Sequence, residues 1–265
     1  MEGDRARRYA VFAAGVVITA AGNVVLTRAA VGNSPPVTIP YVLSETLPLS
    51  YGTFTMLFNF LLVGIQGAVS WRSLDRAGKM DLVLELGVAV VFGALMDLFM
   101  ILLGGFSPEG IPLKCACLVI GLVFTAFAAY IQAVADVTML PADGVSYAIA
   151  VRSGRRYGIV RVSADTLMAV IAACIGFATV GYAAGIGPGT VVICLFTGVL
   201  ANIMMSRLGR LTELLVPGRS LETLAEGERK RRRITNWLYY IECFFRNHAR
   251  RSVPRRPPND RFCGL

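Results

Sequence analysis

Residues 9–71 read YAVFAAGVVITAAGNVVLTRAAVGNSPPVTIPYVLSETLPLSYGTFTMLFNFLLVGIQGAVSW, and residues 115–177 read CACLVIGLVFTAFAAYIQAVADVTMLPADGVSYAIAVRSGRRYGIVRVSADTLMAVIAACIGF. Laid over each other without a gap, at an offset of 106, they agree at 13 of 63 positions. A composition this biased gives roughly five by chance. The matches include Gly15/Gly121, Thr19/Thr125, Ala20/Ala126, Pro35/Pro141, Tyr41/Tyr147, Tyr51-Gly52/Tyr157-Gly158, Leu61/Leu167 and Ile65/Ile171. At an offset of 105, Phe92-Gly-Ala-Leu-Met-Asp97 falls on Thr197-Gly-Val-Leu-Ala-Asn202. Apolar segments align with one another easily, but agreement that continues through the polar linkers favours a true repeat.

Each copy holds three apolar stretches of the roughly 20 residues that a ~30 Å hydrocarbon layer requires. They run over about Tyr9–Ala30, Tyr51–Trp71 and Leu82–Leu103 in the first copy, and Pro112–Ala135, Val162–Gly181 and Ile186–Met205 in the second. Three is odd, so the second copy must cross from the opposite face. The expected fold is all-α: a polytopic membrane protein with six transmembrane helices in two inverted three-helix repeats. Residues 1–110 and 111–216 are the two repeats, and residues 217–265 a basic tail with an amphipathic helix. Inverted three-span repeats are common among secondary transporters, whose sites lie near the midplane between the halves.

Charge agrees with this reading. Of 265 residues 55% are hydrophobic and 16% charged, against about 25% charged in ordinary soluble proteins. From Ser206 to Leu265 there are 14 Lys/Arg and 6 Asp/Glu, which leaves 23 charges for the first 205 residues. Such a distribution excludes a soluble enzyme, a disordered chain and a nucleic-acid module with a basic body. With six spans, 24 of the 26 cations share one side, and Arg28 and Lys114 alone face the other. Cationic loops resist translocation, so both termini are expected in the cytoplasm.

Ionisable groups inside spans cost several kcal/mol and are functional candidates by default. Asp97 and Asp165 are the clearest. Under the repeat Asp97 corresponds to Asn202, and Asn59 to Asp165. Counting ~1.5 Å per residue puts Asn59 and Asp97 at similar depth near the outer face, and Asp165 and Asn202 near the inner one. Two readings stand for these pairs: proton- or cation-responsive gates, or interhelical hydrogen bonds that fix register. Arg161, one turn before Asp165, offers simple neutralisation as a third. Glu85 and Asp81, near the cytoplasmic end, are expected to be solvated.

The linkers Val31–Ser50 and Asp136–Arg156 supply a second candidate site. Ser34-Pro35-Pro36 and Pro141-Ala142-Asp143-Gly144 each precede a short apolar run, as suits a helix N-terminus. Short helices dipping into the bilayer would aim positive dipole ends at a central cavity. Interfacial amphipathic helices are the alternative. Gly185-Ile-Gly187-Pro-Gly189-Thr190 lacks the Lys-Ser/Thr pair of a phosphate loop and reads as a tight turn, with Gly181 and Gly185 at the spacing of a close helix crossing. His248 is the lone histidine, and Cys115-Ala-Cys117 has no partner at zinc spacing. No metal, cofactor or catalytic constellation is therefore expected.

Gly32-Asn-Ser34-Pro35, with Leu43-Ser44 and Ser50-Tyr-Gly52-Thr53, resembles the first-loop pattern of YczE/YitT-like bacterial integral membrane proteins. Pro141-Ala142-Asp143-Gly144 is similar to that family's Pro-Gly-Asp-Gly motif, with Ala142 in place of the first Gly, and Gly185–Thr190 to its Gly-x-Gly-x-Gly-Thr segment. The resemblance covers about residues 9–216 and implies a multi-pass plasma-membrane protein, often taken for a transporter, without an established substrate.

The sequence thus points to a secondary transporter or facilitator of an unidentified small solute. A non-transporting scaffold or sensor acting through the basic tail is the rival. The expected partners are the bilayer, anionic inner-leaflet lipids around Glu228–Arg233 and its aromatic neighbours, the solute, and optionally a second copy in a homodimer. Nucleic acid is not expected.

Overall fold

A computed structural model describes residues 2–71, 74, 76–155 and 157–216. Among them the secondary structure is entirely helical: α1 (Glu2–Ala29), α2 (Pro35–Thr46), α3 (Tyr51–Ser70), α4 (Arg76–Leu102), α5 (Ile111–Ala135), α6 (Pro141–Ser153), α7 (Tyr157–Thr179), α8 (Pro188–Arg207) and α9 (Gly209–Leu215). Helices α1, α3, α4, α5, α7 and α8 are long and apolar enough to cross a membrane. The bundle is apolar outside and buries several polar groups among an apolar core. Leu61 and Leu167 are 58% and 59% exposed, whereas Asn23, Asn59 and Glu85 are buried. Lipid solvates the first kind of surface and excludes the second.

The helix boundaries keep the offset of the sequence repeat. α1 and α5 end at Ala29 and Ala135, α2 and α6 begin at Pro35 and Pro141, and α3 and α7 begin at Tyr51 and Tyr157. Proline suits these starts because its fixed φ is helical and its missing N–H would be unpaired there anyway. The long helices α1 and α5 pack antiparallel. Gly15 lies against Ile131 and Gln132, Gly22 against Phe124 and Thr125, and Gly121 against Leu26. Equivalent positions exchange roles here, since Gly121 and Leu26 are the counterparts of Gly15 and Gln132 under the offset. The other contacts follow the same exchange: α2 packs on α7 and α6 on α3, while α4 packs on α1 and α8 on α5. The exception is α4, which also lies along α3; among the described residues α8 has no comparable seam with α7.

Two ends of the bundle are tied differently. At one end Arg8 Nε donates to the Ala135 carbonyl at 2.8 Å, and its guanidinium pairs with Asp136. At the other, Arg28 Nη2 donates to the Met100 carbonyl at 2.6 Å, and the α1–α2 loop docks on the α7–α8 loop. Asn33 N donates to Gly185 O at 2.8 Å, and Gly189 N to Val31 O at 2.9 Å. A side chain at Gly189 would meet the Val31 carbonyl at 2.7 Å, so the glycine-rich turn makes this close approach feasible. Gly181 and Gly185 lie between α7 and α8 with φ of +82° and +70°. They turn the chain and do not form the helix crossing that their spacing predicts.

α2 and α6 are buried in the protein. In α2 four consecutive residues, Val37, Thr38, Ile39 and Pro40, are buried, so protein surrounds the helix. An amphipathic helix lying flat would bury one side only. The basic tail and its expected helix fall on residues 217–265, outside the described residues, as do Cys243, His248 and Cys263.

Candidate functional site

The N-terminus of α6 gathers the charged candidates. Asp143 sits in the first turn, where unpaired N–H groups favour an anion. Arg161 of α7 forms an ion pair with Asp143, and its Nε reaches Asp165 Oδ2 at 3.0 Å. Tyr157 Oη donates to Asp143 Oδ1 at 3.1 Å. One guanidinium thus bridges two carboxylates and ties α6 to α7, while Asp165 Oδ1 is buried without a partner. Among the described residues, Asp165 makes the contact with Arg161. The side chain of Asn202 lies outside the described residues, and with it the Asp165–Asn202 pair.

Asp97 does not turn to Asn59. Its carboxylate accepts from Gly52 N at 2.6 Å and from the Ser50 hydroxyl, which itself accepts from Thr53 N. Asp97 therefore caps α3 from the neighbouring helix. Gly52 and Gly93 allow this, because a Cβ on Gly93 would meet Gly52 O at 2.6 Å. Asn59 is buried on α3. In the first linker Ser34 leads into α2 without a side-chain cap, and Pro35 is buried; the Ser34 carbonyl accepts from Thr38 Oγ1 at 2.9 Å. The counterparts of Asp143, Arg161 and Asp165 under the repeat are Val37, Thr55 and Asn59, so the first copy of the cluster is uncharged.

Two groups escaped sequence reasoning. Glu85, expected to be solvated, is buried at 3% exposure. Its Oε1 accepts from Gln66 Nε2 at 3.1 Å, and Gln66 packs on Gly144, where a Cβ would meet its Cδ at 2.8 Å. Gly144 thus serves the Glu85 group while its neighbour Asp143 serves Arg161. Position along a helix reveals depth but not which face turns inward, which is why Glu85 was missed. The second group is a stripe on α1. Thr19, Asn23 and Thr27 repeat every four residues and so share one face. Gln132 Nε2 of α5 donates to Thr19 Oγ1 at 2.8 Å, Asn23 Nδ2 to Thr19 O at 3.0 Å, and Thr27 Oγ1 lies 3.0 Å from Asn33 Oδ1. Tyr51 turns its hydroxyl toward Thr27. Asn23 Oδ1, Asn33 Nδ2 and the Tyr51 hydroxyl are buried without partners. The four-residue spacing was a legible signal.

Beside this stripe, in α2, burial first and then the Glu45 carboxylate push the Tyr41 phenol up to about 12; its ring stacks edge-on against Tyr51, with centroids 5.7 Å apart. Among the described residues no three His, Cys, Asp or Glu side chains gather as metal ligands, and Cys115, Cys117, Cys174 and Cys194 are free thiols.

Six helices long and apolar enough to cross a membrane define a multi-pass membrane protein. Residues 6–206 match the model of a family of unknown function, DUF6198, and the chain belongs to that family. No curated protein and no solved structure matches it.

Proposed function

We propose that this chain is a secondary transporter or facilitator of a small solute in the bacterial inner membrane, built from two three-span halves threaded in opposite senses, with both termini in the cytoplasm. The observation that carries the reading is the polar lane at the α1–α5 junction. Buried polar atoms without partners at Asn23, Asn33 and Tyr51 cost free energy in any fold, and more so where lipid surrounds the bundle. They make sense where a solute or water passes between the halves and supplies the missing hydrogen bonds.

Other features support the same reading. α2 and α6 are short buried helices, each packed on a span of the opposite half, as in transporters whose discontinuous helices line a central site. Asp97 closes α3 onto α4, whereas among the described residues α7 and α8 have no comparable seam; halves in unlike states are what alternating access by rocking requires. Arg5, Arg7 and Arg8 at the start of α1, with Arg152 and Arg155 after α5, gather cations at the end tied by Arg8 and Asp136, which favours the cytoplasm for that end. The kinship to YczE/YitT-like proteins belongs to this proposal and agrees with it.

The test is flux in proteoliposomes, using a panel of small polar solutes and the variants Asn23→Leu and Tyr51→Phe. Transport of at least one solute that falls at least about tenfold in Asn23→Leu, with the fold intact, is the expected result. A folded, oriented protein that passes none of the panel above protein-free vesicles would refute the reading.

A further inference from the structure

We propose that Glu85, Gln66 and Thr138 form a binding site for a single positive charge, filled by a proton or by an alkali ion. Glu85 lies two turns into the span that begins at Gly78, about 10 Å along the helix. One carboxyl oxygen accepts the Gln66 amide; the other, Oε2, is buried with no donor. Thr138, in the linker between α5 and α6, turns its hydroxyl toward the same carboxyl, and its Oγ1 is also unpaired. Gln66 Oε1 is a third buried oxygen without a partner. The groups facing Glu85 from α3 and from the linker are therefore neutral. Among the described residues, the charged group acting on it is Asp81, one turn earlier on α4 and of the same sign. Lys79 is turned aside, its ammonium 4.8 Å from the centre of the Trp71 ring.

The other intramembrane carboxylates have their charge met: Asp97 by the amide end of α3, and Asp165 by Arg161. Glu85 is buried as deeply as an apolar core residue, and among the described residues no cation pairs with it. An uncompensated carboxylate is not tolerated in such a place. A bound proton removes the charge and turns Oε2 into a donor for Thr138 Oγ1, which gives both of those oxygens a partner. An alkali ion removes the charge instead by taking Oε2, Thr138 Oγ1 and a rotated Gln66 Oε1 as oxygen ligands. Gly144 is part of the arrangement, because only a residue without a side chain lets the Gln66 amide lie between α6 and Glu85. Binding stands without the transport reading; use of the bound charge to drive a solute rests on it.

The experiment uses the full chain in nanodiscs and follows carboxyl protonation by infrared difference spectroscopy, first across pH with choline as the only cation, then with added Na⁺ or K⁺ at fixed pH. Expected is a protonated-carboxyl band in the wild type that is absent from Glu85→Gln and disappears on raising the pH. Saturable loss of that band on adding Na⁺ or K⁺ identifies the alkali ion, and indifference to both identifies the proton. Thr138→Val keeps the carboxyl and removes one oxygen, so it guards against a folding defect in Glu85→Gln. It should shift the midpoint by about threefold to tenfold in proton or ion concentration, the equivalent of one hydrogen bond. Superimposable pH and cation titrations of wild type and Glu85→Gln would overturn the site. Binding without flux would sink the transport reading alone; flux that Glu85→Gln leaves unchanged, with no band lost, would sink the site alone.

Discussion

Replacing Asp97 separates a carboxylate that carries protons from one that holds two helices together. Its oxygens accept from Gly52 N at 2.6 Å and from the Ser50 hydroxyl, both at the start of α3. Interhelical polar contacts in membrane proteins contribute about 0.6 kcal/mol each and at most about 1.7. The two together are therefore worth about 1–3 kcal/mol, and Asp97→Ala should lower unfolding stability in detergent by that amount. Asp97→Asn is the informative variant. Its amide oxygen still accepts from Gly52 N, and its amide nitrogen can donate to Ser50 Oγ. What it loses is the attraction of a full negative charge to the helix N-terminus, about 0.3–1 kcal/mol. Asp97→Asn should accordingly keep most of the stability and most of the flux in proteoliposomes, while Asp97→Ala loses both in proportion. A fully stable Asp97→Asn protein with no flux would refute the capping role and restore Asp97 as a proton-responsive group.

Three further outcomes follow from the geometry. Arg161→Leu leaves Asp143 and Asp165 facing each other without the guanidinium between them; because both are partly exposed, the loss should be on the order of 2–3 kcal/mol, below the usual cost for a buried pair. Thermal unfolding of Arg161→Leu and of Arg161→Leu/Asp165→Leu should show the second change restoring part of that loss; simple additivity would argue against the bridge. Gly189→Val would drive a side chain into the Val31 carbonyl and should cost about 1–3 kcal/mol as overpacking, visible as faster proteolysis of the α7–α8 loop; unchanged cleavage would mean that the two loops do not dock. Tyr41 keeps its proton well beyond the ordinary value of 10, up to about 12. A pKa raised on folding contributes stability in full below pH 10 and loses it as the pH climbs from 10 through about 12. The drop in melting temperature between pH 9 and pH 11 should thus be smaller in Tyr41→Phe than in the wild type, and equal drops would contradict the burial of the phenol.

The repeat explains which parts of this fold could be read from the chain and which could not. Helix positions were legible because apolar length and proline starts are properties of one strand of sequence: Pro35 and Pro141 open α2 and α6, and Tyr51 and Tyr157 open α3 and α7. Pairings between helices were less so. Matching Asn59 to Asp97 by depth ignored the free N–H groups at the start of α3, which compete for the same carboxylate and reach it because Gly52 and Gly93 bring the backbones together. Symmetry in sequence also hides asymmetry in chemistry. Tyr51 and Tyr157 are identical in type and position, yet Tyr157 donates to a carboxylate that Arg161 holds, while the Tyr51 hydroxyl has no partner. The difference lies in neighbours that the repeat does not conserve: Asp143 and Arg161 on one side stand opposite Val37 and Thr55 on the other. The Tyr157 copy of this arrangement therefore carries an ion pair, and the Tyr51 copy neutral hydrogen-bonding groups.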